Sequence, residues 1–242
     1  MLQDDIETGS RPLGDDPGAL GRREAGKAKR RQQIIQAARQ LIRETGNAGL
    51  SMRALAARAG VSLATPYNLF GSKRAIVLAV HQDVREFHQR FSITRSADPV
   101  ERIFAAVDMA VDYYVGDPPF YKTLWAAVFD TTDEIRTEIY NPKRDAFWQG
   151  LVRAAAAAGA IAEDMDLDHL LHQLDYLFRS VMLDWVVGEL SPDALAPTIR
   201  LGYALILKGA ASPDWRGPLQ ARIADNQSIL RRMAAAKAAP AA

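Results

Sequence analysis

The sequence predicts an all-α fold, and this prediction rests on three kinds of observation. Apolar residues recur at helical spacing along most of the 242-residue chain, and strand-like alternation is not convincing anywhere. An acidic residue followed by proline, as in Asp98-Pro99, is typical of a helix start. Glycines such as Gly60 and Gly116 interrupt the apolar segments where helices would end. With 48% hydrophobic residues, the chain can form one large or two small packed units.

The composition excludes several kinds of site. The chain has no cysteine, which rules out disulfides and thiolate zinc sites and suits a reducing compartment. No run of about 18 apolar residues occurs, so we expect no membrane span. The first ten residues are acidic and lack an apolar signal region. We therefore expect a cytoplasmic protein that does not associate with membranes and takes no cofactor.

Charge is distributed unevenly along the chain. Residues 21–95 carry 15 Lys and Arg against 4 Asp and Glu, whereas the rest carries 15 against 25, and the total is +1. A basic segment attached to an acidic remainder indicates a polyanionic partner for that segment alone. A solvated basic face is the alternative explanation.

The basic segment contains the first predicted helix, from about Ala28 to Thr45. It follows residues 1–26, whose Gly, Pro and Asp content predicts a disordered arm. Residues at helical spacing form one apolar face of this helix, namely Ile34, Ala37, Ala38, Leu41 and Ile42.

Three further helices are predicted between residues 51 and 91. Ser51 is a good N-cap for the second helix, and Gly60 can adopt the left-handed conformation that a tight turn requires. Ser62 is predicted to cap the third helix, which ends near Phe70. Ser72 is predicted to cap the fourth, whose apolar stripe comprises Ile76, Val80, Val84, Phe87 and Phe91.

The second helix, the turn at Gly60 and the third helix form a helix-turn-helix, a unit that places its second helix in the major groove of DNA. The early residues of the third helix are small or apolar, so they allow close approach, and their methyl groups can meet thymine methyls. Tyr67 and Asn68 can reach a phosphate or a base, and Pro66 is tolerated in the first turn. The candidate DNA-binding residues are Ser51, Ser62, Leu63, Ala64, Thr65, Tyr67, Asn68 and Lys73.

Lys73 and Arg74 stand at the start of the fourth helix, where cations oppose the helix dipole. Free backbone N–H groups and positive side chains together suit an anion such as a DNA phosphate. A solvent-exposed lysine without a role is the alternative. The basic stretch from Arg22 to Arg31 also has two interpretations. It contacts DNA, in the minor groove or at flanking phosphates, or it only makes the arm soluble.

Residues 30–80 resemble the N-terminal domain of the TetR family of transcriptional regulators. The matching features are the apolar first helix, the capping residues, the Ala-Gly-Val-Ser turn and the start of the fourth helix. They stand at Gly46, Ser51, Ala56, Ala59-Gly60-Val61-Ser62, Thr65, Tyr67, Phe70 and Ser72-Lys73. Leu69 departs from the family pattern, which often has a histidine or an aromatic residue there.

The resemblance implies a three-helix DNA-binding domain followed by a larger helical ligand-binding and dimerisation domain. It also implies phosphate contacts by Tyr67 and Lys73 with help from Thr65 and Ser51, and base contacts by residues 63–65. We therefore divide the chain into a disordered arm (1–26), a helix-turn-helix domain (27–72), a helical body (73–212) and a C-terminal helix with a tail (213–242).

The body is predicted to hold further helices. They run at about 99–115, 120–130, 142–159, 166–189 and 191–210, with a last helix from beyond Pro218 to about 236. Aromatic side chains are dense between Tyr113 and Trp185, which suits either a pocket for an apolar or aromatic ligand or ordinary core packing. The candidate pocket walls are Trp125, Phe129, Trp148 and Tyr176.

The helices at 166–189 and 191–210 resemble the family's dimer helices, and two from each subunit would form a four-helix interface. One predicted stripe comprises Leu170, Leu174, Leu177, Val181 and Trp185, and the other Ile199, Tyr203, Ile206 and Leu207. Burial within a single chain competes with this explanation.

These features predict a ligand-responsive regulator that is not an enzyme. Its partners would be a double-stranded DNA operator, a small-molecule effector and a second copy of the chain. A repressor released from a palindromic operator by an apolar or aromatic molecule fits best. One alternative is a helical metal-binding enzyme built on Asp168, His169 and His172, although we expect no metal site. The other is a helix-turn-helix adaptor that binds a protein partner.

Overall fold

The computed structural model of the chain describes residues 17–45, 50–80, 91, 98–129 and 142–238. Apart from one isolated bridge between Ile161 and Ala211, the regular elements of these residues are all α-helices, which confirms the all-α prediction. The helices are α1 (Pro17–Thr45), α2 (Met52–Ala59), α3 (Ala64–Phe70), α4 (Lys73–Val80), α5 (Pro99–Gly116), α6 (Pro118–Phe129), α7 (Pro142–Ala157), α8 (Leu167–Val187), α9 (Pro192–Ala210) and α10 (Pro213–Ala238).

Helix α1 packs its apolar face against α2 and α4, and all five residues predicted for that face are buried. It begins at Pro17 rather than near Ala28, so residues 17–26 are helical although they were assigned to the arm. The Ala-, Arg-, Lys- and Gln-rich composition of residues 19–33 has a high helix propensity, which outweighs its glycines. The remainder of the predicted arm, residues 1–16, lies outside the described residues.

Local capping sets the ends of α2 and α4 as predicted. The Ser51 hydroxyl oxygen accepts the Ala54 N–H at 3.1 Å, and the Ser72 hydroxyl oxygen accepts the Ala75 N–H at the same distance. Gly60 ends α2 with φ 65° and ψ 35°, in the left-handed region.

The prediction that Ser62 caps α3 is wrong. Helix α3 begins at Ala64, and the preceding Leu63 is already in a helical conformation with no capping side chain. The Ser62 hydroxyl instead lies 2.9 Å from the Thr65 hydroxyl, while the Ser62 carbonyl accepts the Thr65 N–H. A backbone hydrogen bond therefore closes the turn, and the Ser62 hydroxyl pairs with the Thr65 side chain instead of capping the helix.

The body is formed by α5 to α10. Asp98 caps α5 by accepting the N–H groups of Val100 and Glu101, and α6, α7 and α9 pack around α5 and α8. Helix α10 covers α9 and begins at Pro213, so Pro218 lies inside it rather than before it. Pro218 lies in the second turn of α10 and lacks the N–H that would donate to the carbonyl four residues earlier, so the helix forgoes one hydrogen bond there.

The two stripes predicted for dimerisation lie mainly in the core of the chain itself. Intramolecular burial therefore explains most of them, namely Leu170, Leu174, Val181, Trp185, Ile199, Tyr203 and Leu207. Other faces of the same two helices carry exposed apolar side chains, those of Tyr176, Leu183, Val187 and Leu205. Within the described residues, no helix has both the length and the apolar character needed to cross a membrane.

On α4, Ile76 and Val80 of the predicted stripe are buried, as is Phe91 further on. Residues 84 and 87 of that stripe lie outside the described residues.

Candidate functional site

Most of the residues predicted for DNA contact are exposed on α3 or at the neighbouring helix starts. Leu63 and Tyr67 are 51% and 49% exposed, and Ala64 and Asn68 are exposed beside them. Ser51, Ser62 and Lys73 are also exposed, and only Thr65 is half-buried. Leucine and tyrosine side chains exposed at the start of a short helix and on it are typical of a surface that meets a partner.

The core side of α3 holds the helix in place. Pro66 is buried, and the guanidinium of Arg31 on α1 donates to the carbonyl of Leu69 at 2.9 Å. The same guanidinium lies over the Phe70 ring, 4.2 Å from its centroid. The carbonyls at a helix end need donors, so Arg31 both satisfies one of them and holds the end of α3 against α1. Sequence reasoning missed this role, because nothing local to Arg31 indicates its partner.

A sharp turn connects α3 to α4 and fixes the position of Lys73. Gly71 has φ 78°, which favours glycine, and its N–H donates to the Tyr67 carbonyl at 2.8 Å. Lys73 follows as the first residue of α4, so its ammonium stands at a helix N-terminus beside the exposed side of α3. This is the arrangement expected of an anion-binding position.

Positive charge extends from this surface along α1. Lys27, Lys29 and Arg30 are exposed on the N-terminal part of that helix, and Arg53 is exposed on α2. Arg58 pairs with Glu44 at 2.7 Å, and this hydrogen bond lowers the pKa of Glu44. The basic segment of the sequence is therefore a surface of the folded chain that a polyanion can approach.

A buried ion pair connects α1 to the body. Asp117, between α5 and α6, is buried and accepts hydrogen bonds from Arg39 at 2.9 Å and from Arg43 at 2.8 Å. Burial alone would raise the pKa of Asp117, but the hydrogen bonds and charges of Arg43 and Arg39 outweigh it, so the pKa is lowered. The sequence indicated only a helix break at the neighbouring Gly116.

An aromatic cluster occupies the core of the body. Trp125 is buried on α6, with its ring centroid 5.8 Å from Phe129, 5.8 Å from Phe178 and 5.9 Å from Tyr114. Burial raises the pKa of Tyr114 to about 12, against smaller opposing effects of Arg144 and a hydrogen bond with Trp125. The phenol is therefore neutral at physiological pH.

The structure does not bring all four predicted pocket residues together. The rings of Trp125 and Phe129 are neighbours. Trp148 instead contacts Phe147, with 5.4 Å between the two ring centroids. Tyr176 is 56% exposed on the outside of α8, where it stacks on His172. It therefore lies apart from the aromatic cluster.

The histidines considered for a metal lie on the exposed surface of α8. Their ring centroids are 6.4 Å apart, and His169 pairs with Asp166 at 2.9 Å, which raises the pKa of that histidine. Among the described residues, no group of three or more His, Cys, Asp or Glu could hold a metal ion. The geometry does not favour the metalloenzyme alternative.

Comparison with known proteins gives the family of the N-terminal part. Residues 34–80 match the model described as bacterial regulatory proteins, tetR family. The N-terminal domain is a TetR-family domain. The match covers α2, α3 and α4 and the apolar half of α1, and it confirms the resemblance noted from the sequence. A comparison with curated proteins found no match.

Solved structures of transcriptional regulators share the fold over about three quarters of the chain. SmeT, the repressor of the Stenotrophomonas maltophilia multidrug efflux pump SmeDEF, is 23% identical with a TM-score of 0.63, covering 76% of this chain and 91% of SmeT. FadR from Bacillus subtilis, solved with stearoyl-CoA, is 19% identical with a TM-score of 0.60, covering 74% and 98%. CprB from S. coelicolor is 18% identical with a TM-score of 0.61, covering 82% and 97%.

Proposed function

We propose that this chain is a ligand-responsive transcription regulator, a repressor that leaves a palindromic operator when a small apolar or aromatic molecule binds its body. The observation that carries the proposal is the exposed outer side of α3, with Lys73 beside it at the start of α4. The TetR-family domain supports DNA binding, and the fold shared with SmeT supports repression. On this proposal the chain is not an enzyme, and it acts in the cytoplasm.

The DNA contacts divide by chemistry. Leu63, Ala64 and Thr65 meet base edges, because apolar and hydroxyl groups at the start of a recognition helix read the major groove. Tyr67 and Lys73, with Ser51, Ser62 and Asn68 alongside, bind phosphates and set the register of α3. Phosphate contacts dominate affinity, so binding falls steeply with salt.

Two copies of the chain read the operator together. The exposed side chains of Tyr176, Leu183, Val187 and Leu205 form an apolar face on α8 and α9, which a second copy covers. A single helix-turn-helix reads few base pairs, whereas a twofold pair reads two half-sites one helical turn apart.

The body transmits ligand binding through α1. Asp117 immediately precedes α6, the helix that carries Trp125 and Phe129, and it holds Arg39 and Arg43 on the first helix of the DNA-binding domain. A ligand between α6 and α8 that moves α6 therefore moves α1, and with it α3. The ligand must bind the DNA-incompetent form more tightly, since otherwise it shifts nothing.

Selection of bound sequences from a random DNA pool tests the proposal. We expect a palindrome whose half-sites are spaced by whole helical turns. Failure to enrich any sequence, or enrichment of a single unrepeated half-site, would contradict it.

Single substitutions then separate the two kinds of contact. Lys73→Ala should weaken binding to every sequence and lower the salt dependence, because it removes a phosphate contact. Thr65→Ala should instead change the preferred base, with a cost of about 1–3 kcal/mol on the selected site. Gel shifts at several salt concentrations measure both effects, and unchanged affinity in Lys73→Ala would count against the assignment.

A further inference from the structure

The indole N–H of Trp185 has no hydrogen-bond acceptor. Trp185 is fully buried near the end of α8, and its Nε1 atom is buried without a partner. A buried donor that lost its water on folding destabilises the chain, so its persistence needs an explanation. A ligand that supplies the acceptor is one such explanation.

The ammonium of Lys122 lies over the same indole. Its Nζ atom is 5.4 Å from the Trp185 ring centroid, and the lysine is half-buried on α6. Within the described part of the chain, no carboxylate forms an ion pair with it. A ring face is a weaker partner for a partly desolvated ammonium than an anion. The indole N–H of Trp185 and the ammonium of Lys122 are therefore two neighbouring donors, and an anionic acceptor would suit both.

The surroundings favour an anion over a cation. Tyr114 lies 6.4 Å from Trp185, ring to ring, and its phenol is neutral, while the nearby charge that acts on it is that of Arg144. The rings of Tyr121, Trp125 and Phe178 also contact Tyr114. An aromatic cluster alone would attract a quaternary ammonium, but the ammonium of Lys122 repels one, whereas Arg144 is paired with Asp175.

We propose that the effector is an amphiphilic anion, a carboxylate-headed molecule with an apolar tail. Its head accepts hydrogen bonds from Trp185 Nε1 and Lys122 Nζ, and its tail packs on Trp125 and Phe178. This inference rests on the proposed function and narrows its effector from any apolar or aromatic molecule to one with an acidic head.

Calorimetric titration of the full chain with matched probes tests this chemistry. The probes are hexanoate, decanoate and phenylbutyrate, the alcohols of the same skeletons, and hexyltrimethylammonium. We expect at least one carboxylate to bind about tenfold or more tightly than its alcohol, because charge-assisted hydrogen bonds are the stronger ones. The cation should not bind. Equal affinity of acids and alcohols, or binding by none of the acids, would overturn the inference.

Two variants locate the head group. Lys122→Met keeps the aliphatic stem and removes the charge, so it should abolish the preference for the acid. Trp185→Phe keeps a ring and removes the N–H, so it should weaken the acid about tenfold and leave the alcohol unchanged. Lys208→Met is the control, because Lys208 bonds Gln220 on α10 and should leave every affinity unchanged. If circular dichroism shows that Trp185→Phe does not fold, Lys122→Met decides alone, and a retained acid preference there rejects the site.

DNA binding by the wild type is measured separately. A chain that binds a selected palindrome but does not prefer acids fails only this inference. A chain that prefers acids but binds no DNA fails the proposed function and keeps the anion site.

Discussion

At the scale of single residues, Arg31 determines how α3 is presented. It belongs to α1, yet it donates to the Leu69 carbonyl and stacks on Phe70 at the other end of the DNA-binding domain. Leu69, where the family often has a polar or aromatic side chain, thus contributes a backbone acceptor. The recognition helix has only seven residues, so a contact at its end affects the direction of all of it.

Arg31→Gln should therefore weaken specific DNA binding by about tenfold while the chain stays folded. Glutamine loses both the stacking and the reach to the carbonyl, which together account for about 1–2 kcal/mol. Fluorescence anisotropy with the selected operator measures the effect. Lys29→Gln is the matched control, since it removes an exposed charge from the same helix. Equal losses in both variants would show that Arg31 acts only through its charge.

At the scale of helices, two contacts between elements decide the arrangement of the body. One is the ion pair of Asp117 with α1. The other is the close approach of α8 and α9 at Gly202, where an added Cβ would lie 2.2 Å from Leu177 Cδ2. The first joins α1 to the body, and the second packs α9 against α8.

Asp117→Asn should uncouple the domains and remove one cause of acid sensitivity. The lowered pKa of Asp117 means that the ion pair stabilises the wild type above the ordinary carboxyl range and that this contribution is lost as pH falls below about 4. The variant should lose about 1–3 kcal/mol at neutral pH and unfold with a shallower acid dependence. Urea unfolding from neutral to acidic pH measures this, and parallel curves for the two proteins would refute it.

Gly202→Ala should destabilise the chain by about 0.5–2 kcal/mol net, because displacing the Leu177 side chain costs about 1–3 kcal/mol and the gain in helix propensity offsets about 0.5–1 kcal/mol of it. Gly209→Ala is the matched control on the same helix. No atom lies within 4 Å of the Cβ it would add, so higher helix propensity should stabilise the chain by about 0.5–1 kcal/mol. Thermal unfolding of both variants decides the point, and a stabilising Gly202→Ala would contradict it.

At the scale of the whole molecule, two surfaces carry the proposed function. In the proposed function, DNA approaches the exposed side of α3, and a second copy covers the apolar face of α8 and α9. Leu63 and Leu205 are each 51% exposed, one on either surface. Because the two leucines are equally exposed, the same substitution at each of them tests the two surfaces separately.

Leu205→Glu should convert a dimer to a monomer, because a charge in an apolar interface stays unpaired on association. Its DNA affinity should fall as a consequence. Leu63→Glu should leave the dimer intact and abolish DNA binding, since it sets a carboxylate against the duplex. Light scattering after size exclusion reports the mass, and anisotropy reports DNA binding. A monomeric wild type, or a dimeric Leu205→Glu, would reject this face as the interface.

The sequence by itself determined the helical fold class, the helix-turn-helix and the caps at Ser51, Ser72 and Asp98. These features are local: a cap, a turn glycine and apolar spacing act within a few residues of one another. The sequence did not place the start of the first helix. The glycines before Ala28 indicated a disordered arm, but the high helix propensity of their neighbours extends the helix back to Pro17.

Only the tertiary structure decided which apolar stripe is core and which is surface, because both are periodic and differ only in what packs on them. It also paired Arg39 and Arg43 with Asp117, 78 and 74 residues away, and placed Lys122 over Trp185 while leaving Tyr176 outside. Such contacts arise when helices distant in sequence pack together, so no local pattern carries them.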